Sequence, residues 1–248
     1  MSIRPPVSPA DELQRAAEVL SQNWILAVPT ALASLTFFLI VIFIVLSVVG
    51  TTVLGGLAGG HLGAAAGLGT GAIVALLASL LGAGVVVLAQ AVVIHASEDA
   101  WQGLSPNLGA SLGAVLGRLP DLLVATILSG LIVAALCLTV IGIPFVAVAS
   151  YFLMYVTPAV ILGRESGTGA LATSFRIART RVGESFVAFL GLIAASIVGV
   201  VANTLLGHIP LVNLLTAFAI GGLTSAYAAL VQARFYDLLR IPAAYPIP

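Results

Sequence analysis

Every charged residue of this chain falls in one of four short windows, and the stretches between them carry none. The windows are 1–23 (Arg4, Asp11, Glu12, Arg15, Glu18), 98–121 (Glu98, Asp99, Arg118, Asp121), 164–184 (Arg164, Glu165, Arg176, Arg179, Arg181, Glu184) and the tail (Arg234, Asp237, Arg240). The uncharged runs are 24–94, 122–163 and 186–233. A helix that crosses a bilayer needs about 20 apolar residues. The second and third runs therefore each hold two crossings and a tight turn. Gly142-Ile143-Pro144 and Gly207-His208-Ile209-Pro210 supply the turns, since Gly and Pro are the strongest local breakers.

This pattern predicts an all-α membrane protein. The chain is 60% hydrophobic and 7% charged, against about 25% charged in an ordinary soluble domain. Water cannot accommodate so much apolar surface, whereas lipid can. Residues 1–23 are polar, with Pro5, Pro6 and Pro9, and the apolar run after them is longer than the core of a secretory signal.

The first run is ambiguous. Helices are expected at 24–49 and 72–95, separated by a glycine-rich stretch from Gly50 to Gly71 that reads as a loop, a re-entrant segment or a third span. Topology decides the number of full crossings. All nine basic residues are Arg. With two crossings in the first run, every Arg lies on one side, which is then the cytoplasm; with three, seven Arg would face outward, against the positive-inside rule. The expectation is six spans, at about 24–49, 72–95, 121–141, 144–163, 186–206 and 210–233, with 50–71 on the outer side. Residues 1–23 form a cytoplasmic amphipathic segment, 24–240 a single membrane domain and 241–248 a cytoplasmic tail. The expected location is the cell (inner) membrane.

The second and third charged windows resemble each other at an offset of 63 residues, Leu108 to Leu171. Leu108, Leu112, Val115 and Leu119 follow helical spacing, and so do Leu171, Phe175, Ala178 and Val182. Arg118-x-x-Asp121 matches Arg181-x-x-Glu184, and Val124-Ala125 matches Val187-Ala188. Leu13, Ala17 and Leu20, with Arg15-x-x-Glu18, make a weaker third copy. The expected arrangement is three units, each an amphipathic interfacial helix followed by a transmembrane hairpin.

Several segments carry a resemblance. They are Asp99-Ala100-Trp101-Gln102-Gly103, Tyr155-Val156-Thr157-Pro158-Ala159, Arg164-Glu165-Ser166-Gly167, Ala170-Leu171-Ala172-Thr173-Ser174-Phe175-Arg176 and Phe235-Tyr236-Asp237-Leu238-Leu239-Arg240. Together they resemble the six-span membrane domain that precedes a glycerophosphodiester phosphodiesterase domain in some bacteria, and related multi-pass families of the same layout. The chain ends at Pro248, so no catalytic domain is expected beyond it and hydrolase activity is not implied.

No catalytic, cofactor-binding or metal-binding constellation is legible. The spans hold no ionisable residue near their middle, where burial is costly and usually signals a pump, a sensor or an embedded hydrolase. His61 and His208 are expected on the outer side and His95 at the inner end of the second span, none at metal-ligand spacing. Cys137, the only cysteine, cannot form an internal disulfide. Gln90 and Asn203 read as interhelical hydrogen-bonding groups. Zero net charge and the lack of a basic domain leave no reason to invoke nucleic acid.

Two features remain. Gly55, Gly59, Gly63, Gly67 and Gly71 recur every fourth residue and continue through Ala75, Ser79 and Ala83. A helical 55–71 would present them as a flat ridge suited to close helix approach, within an oligomer or against a partner membrane protein; otherwise the segment is a flexible outer loop. Arg176, Arg179 and Arg181 flank the apolar stripe of 168–184 at headgroup level, where they would attract anionic lipid headgroups of the bilayer. The expected function is that of a non-enzymatic protein that organises the membrane or assists a membrane complex. The alternative is a passive transporter or lipid-handling protein with a cavity between the hairpins.

The topology is directly testable. Reporter fusions placed after Gly60 and after Pro248 are expected on opposite sides of the membrane, and finding both on one side would exclude six spans.

Overall fold

The computed structural model describes residues 8–139, 142–206 and 210–240. The expected turn at Gly207 and His208 and the expected tail 241–248 lie outside the described residues. Among the described residues there are helices and turns and no strand. The α-helices are α1 (Pro9–Gln22), α2 (Ala27–Trp101), α3 (Leu108–Leu116), α4 (Leu119–Cys137), α5 (Ile143–Leu153), α6 (Val156–Ile161), α7 (Gly167–Thr180), α8 (Val182–Leu206) and α9 (Pro210–Arg240). Among the described residues, five helical segments are long and apolar enough to cross a membrane: Trp24–Trp101, Leu119–Cys137, Pro144–Ile161, Val182–Leu205 and Thr216–Arg240.

The first of these is a hairpin. Helix α2 reverses at Gly59 (φ −135°, ψ 15°) and Gly60 (φ 59°, ψ −140°). The Gly60 conformation is one that side chains disfavour. The two arms, 27–58 and 61–101, then pack against each other. A Cβ on Gly55 would run into the Gly63 carbonyl, one on Gly63 into that of Gly55, and one on Gly67 into that of Thr51. At Gly71 a Cβ would lie 3.0 Å from Val48 Cα. The Thr51 hydroxyl donates across the seam to the Gly67 carbonyl at 3.0 Å. Four of the periodic glycines thus let the arms of one chain meet backbone to backbone. The fifth, Gly59, sits in the bend with open space beside it. The stretch 50–71 is helical on both sides of the bend and forms the end of this hairpin.

Helix α9 lies along the first arm. Thr30 donates to the Gly222 carbonyl at 2.8 Å, and Phe38 meets Phe218 edge to face at 5.4 Å. Gln90 on the second arm donates to Gln232 on α9 at 3.3 Å, an interhelical hydrogen bond. These contacts fix relative heights. From Phe38 to the bend is about 31 Å, and from Phe218 back to the start of α9 about 12 Å, at 1.5 Å per residue. The α2 hairpin therefore overhangs α9 by about 19 Å. Its arms are about 48 and 61 Å long, against a hydrocarbon core of about 30 Å.

The segment expected as a span at 144–163 is broken into α5 and α6 between Leu153 and Val156. Pro158 lacks the N–H that would reach the Met154 carbonyl four residues back, and α7 bonds two other backbone groups beside the break. The Ser174 hydroxyl donates to the Phe152 carbonyl at 2.6 Å and accepts the Tyr155 N–H at 3.1 Å. Helix α7 is consequently built into the protein on one side. Ala170, Thr173, Ser174, Ile177 and Ala178 are buried, whereas Phe175 and Val182 of the expected stripe are exposed. Helix α1 likewise buries Glu12, Ala16 and Leu20 and leaves Ala17 outside. In α3, Ser111 and Val115 are buried and Leu112 is exposed. In each case the face turned into the protein carries a polar residue with a partner. Ser111 meets His95 Nδ1 at 3.1 Å.

The ridge predicts an ordered mutational response. Gly63→Ala should destabilise the hairpin by about 1–3 kcal/mol, the usual cost of overpacking, and Gly63→Leu by more. Gly59→Ala should be nearly neutral. Thermal unfolding in mild detergent measures all three; equal effects at Gly59 and Gly63 would contradict the close packing of the arms.

Candidate functional site

The described charged residues gather at one end of the helix bundle, where the four charged windows meet. Helix α1 reaches the last helix through Glu12, whose carboxylate receives Arg234 Nε at 2.7 Å and Nη2 at 3.1 Å. Glu12 is only 1% exposed and the Arg234 side chain 15%. The guanidinium lies over the ring of Trp101 at the end of α2, 5.1 Å from its centroid, and Arg15 approaches the same ring at 5.9 Å, both within cation–π range. Tyr227 donates to the Leu13 carbonyl at 3.1 Å. The Trp101 indole N–H is buried and makes no hydrogen bond.

The turn between α6 and α7 forms the second focus. Arg118, at the start of α4, donates to the Arg164 carbonyl, and Arg240, at the end of α9, to that of Leu162, each at 3.3 Å. Gly163 is required by close approach, because a Cβ there would strike the Tyr236 hydroxyl. Arg164 takes φ 54°, the left-handed region that a non-glycine residue adopts at some cost. Asp121 accepts the Gly167 N–H at 3.3 Å, at the N-terminal end of α7, where the helix dipole favours a carboxylate. Arg118–Asp121 at 3.8 Å and Arg181–Glu184 at 3.7 Å are ion pairs with the same i, i+3 spacing.

Three open clefts surround this turn. One of about 420 Å³ lies between α7 and the end of α9 and is lined by Glu165, Thr173, Arg176, Arg181, Tyr236 and Arg240, among others. A second, about 490 Å³, is bordered by Glu98, Trp101, Arg234 and Asp237. The third, about 400 Å³, is bordered by His95, Glu98, Arg118 and Arg164. All three fall within the size range of small-ligand sites, about 300–1,000 Å³.

The structure separates the three arginines singled out in the sequence. Arg176 and Arg181 line the first cleft; Arg179 is exposed on α7 and does not. His61 is exposed beside the hairpin bend, His95 is bonded to Ser111, and His208 lies outside the described residues. The Asn203 side-chain oxygen is buried without a hydrogen-bond partner. Among the described residues, no three His, Cys, Asp or Glu side chains are placed to share a metal ion. The sequence placed Glu12 and Arg240 in charged windows, and Trp101, Tyr236 and Arg240 in segments that carry a resemblance, with no site role. The available signal was the spacing of Glu12, Ala16 and Leu20, which puts a carboxylate in line with an apolar face. Compared with protein-family models, with curated proteins and with solved structures, the chain finds no match.

The buried pair gives a sharp contrast. Glu12→Ala leaves Arg234 unpaired in a mostly buried site and should cost about 3 kcal/mol or more. Glu18→Ala, on the exposed face of the same helix, should cost less than about 0.5 kcal/mol. Equilibrium unfolding of the two variants in detergent checks this, and similar losses would mean that the pair does not hold α1.

Proposed function

We propose that this chain is a six-span membrane protein of three units, each an interfacial helix and a hairpin, with its charged end in the cytoplasm. Its role is non-enzymatic: it organises the membrane or serves as an accessory to a membrane complex. The order α1 then the α2 hairpin, α3 then α4 to α6, α7 then α8 and α9 supports the three units. The unit match gains further support from equivalent buried positions 63 residues apart: Ser111 and Ser174, Val115 and Ala178, Ala125 and Ala188.

The observation that carries the role is the overhanging hairpin. Its tip is apolar on the outside, with Leu57 81% and Leu62 85% exposed, flanked by Val53, Leu54 and Leu68. An arm about 48 Å long passes through about 30 Å of hydrocarbon and carries these side chains into or beyond the far headgroups. An apolar surface in that position marks a contact with another protein, either a second copy or a partner subunit. The glycine ridge is already used between the two arms, so the contact falls to the leucines on their outer faces. Lipid handling is the second reading, and the arginine-lined clefts at the charged end favour it.

The test is assembly size in mild detergent, by size exclusion with light scattering. Wild type should run larger than one chain. Leu57→Asn combined with Leu62→Asn should reduce it to a monomer with unchanged thermal stability. A monomeric wild type, or an assembly indifferent to the double substitution, would defeat the proposal.

A further inference from the structure

The cleft between α7 and the end of α9 has a composition that its structural duties do not explain. Three arginines line it, Arg176, Arg181 and Arg240, against one carboxylate, Glu165. Two of the arginines are held from behind. Arg181 pairs with Glu184 at 3.7 Å, and Arg240 pairs with Asp237 at 2.8 Å while donating to the Leu162 carbonyl. Each guanidinium carries five N–H donors in a fixed fork, so both retain donors for a ligand. Arg176 has less to do. Its hydrogen bond within the chain goes to the Thr173 hydroxyl at 3.2 Å, and among the described residues no carboxylate lies within ion-pair distance. Glu165 is occupied in accepting the Thr173 hydroxyl at 3.3 Å.

We propose that this cleft binds a phosphate group, presented by an anionic lipid headgroup. Guanidinium forks match phosphate oxygens in pairs, and such charge-assisted bonds are among the strongest available. The remaining wall suits the glycerol and acyl portion that a lipid phosphate carries: Ile177, Leu239 and the body of Tyr236 make it apolar. This differs from general attraction of α7 to a charged surface, which would use Arg179 as readily as Arg176. It also goes beyond the accessory role, and assembly through the hairpin tip can fail without affecting it.

The experiment uses the full chain in nanodiscs of phosphatidylcholine, with and without phosphatidylglycerol, and reads thermal unfolding and lipid retained in native mass spectrometry. Phosphatidylglycerol should stabilise the wild type. Arg176→Gln should weaken its apparent affinity roughly tenfold, Arg176→Glu should remove the effect, and Arg179→Gln should match wild type. A separate arm adds inorganic phosphate to pure phosphatidylcholine discs. Stabilisation there with the same dependence on Arg176 identifies free phosphate as the source, and its absence identifies the headgroup. Indistinguishable behaviour of Arg176→Gln and Arg179→Gln, or no stabilisation by either anion, overturns the site. Because the hydrogen bond of Arg176 within the fold goes to Thr173 on its own helix, unfolding midpoints without anion should stay near wild type.

Discussion

The ion pair between Glu12 and Arg234 fastens the beginning of the described chain to its end. Around it the three most distant parts of the sequence come together: α1, the close of the α2 hairpin at Trp101, and the last turns of α9. Apolar contacts in a bilayer do little to choose one helix neighbour over another, because lipid tails are as apolar as leucine. A buried, two-pronged carboxylate–guanidinium contact is different. It is satisfied in one arrangement only and leaves a costly unpaired charge in the others. The same logic recurs at the α6–α7 turn, where arginines from α4 and α9 grip two nearby stretches of backbone. The apolar helices supply bulk, and a few charged contacts at one end specify how they are ordered.

That division explains what could be read from the sequence. The distribution of charge revealed the helical runs and their limits, because a missing charge over twenty residues has one physical meaning. The four-residue glycine period announced a flat helix face, but not what lies against it. The answer depended on whether the chain turns at Gly59 and Gly60, and two adjacent glycines inside a longer glycine-rich stretch do not stand out. The faces by which α1, α3 and α7 enter the protein escaped apolar periodicity for a single reason. Apolar periodicity finds the side of a helix that avoids water. It cannot tell that Glu12, Ser111 and Ser174 have partners waiting in Arg234, His95 and the interrupted backbone ladder at Phe152. The cleft beside α7 was not legible either, since it is assembled from residues 163–181 and 236–240, far apart in the sequence.

The break between α5 and α6 shows how the parts depend on one another. Pro158 would leave backbone groups without partners in an apolar setting, a cost of several kcal/mol each in lipid. Ser174 satisfies the Phe152 carbonyl and the Tyr155 N–H beside that break from a neighbouring helix, and Tyr151 in turn donates to the Ala178 carbonyl near the end of α7 at 2.9 Å. The irregular span and the amphipathic helix are therefore one structural element in energetic terms. The equivalent serine, Ser111, serves an unbroken helix through His95, so a shared position has taken two different duties.

The hairpin bend has a bearing on how the protein is made. Near the tip, Thr51, Thr52 and Thr70 all turn their hydroxyls onto carbonyls of their own hairpin, at 2.7–3.0 Å. What remains polar there is one imidazole, His61, and the few peptide groups freed where the chain reverses. In the proposed orientation, nothing strongly hydrophilic has to be dragged through the bilayer when this segment enters it. The two arms can go in together as a closed pair, with their seam already formed, and the length that later projects on the far side carries almost no hydration to shed on the way.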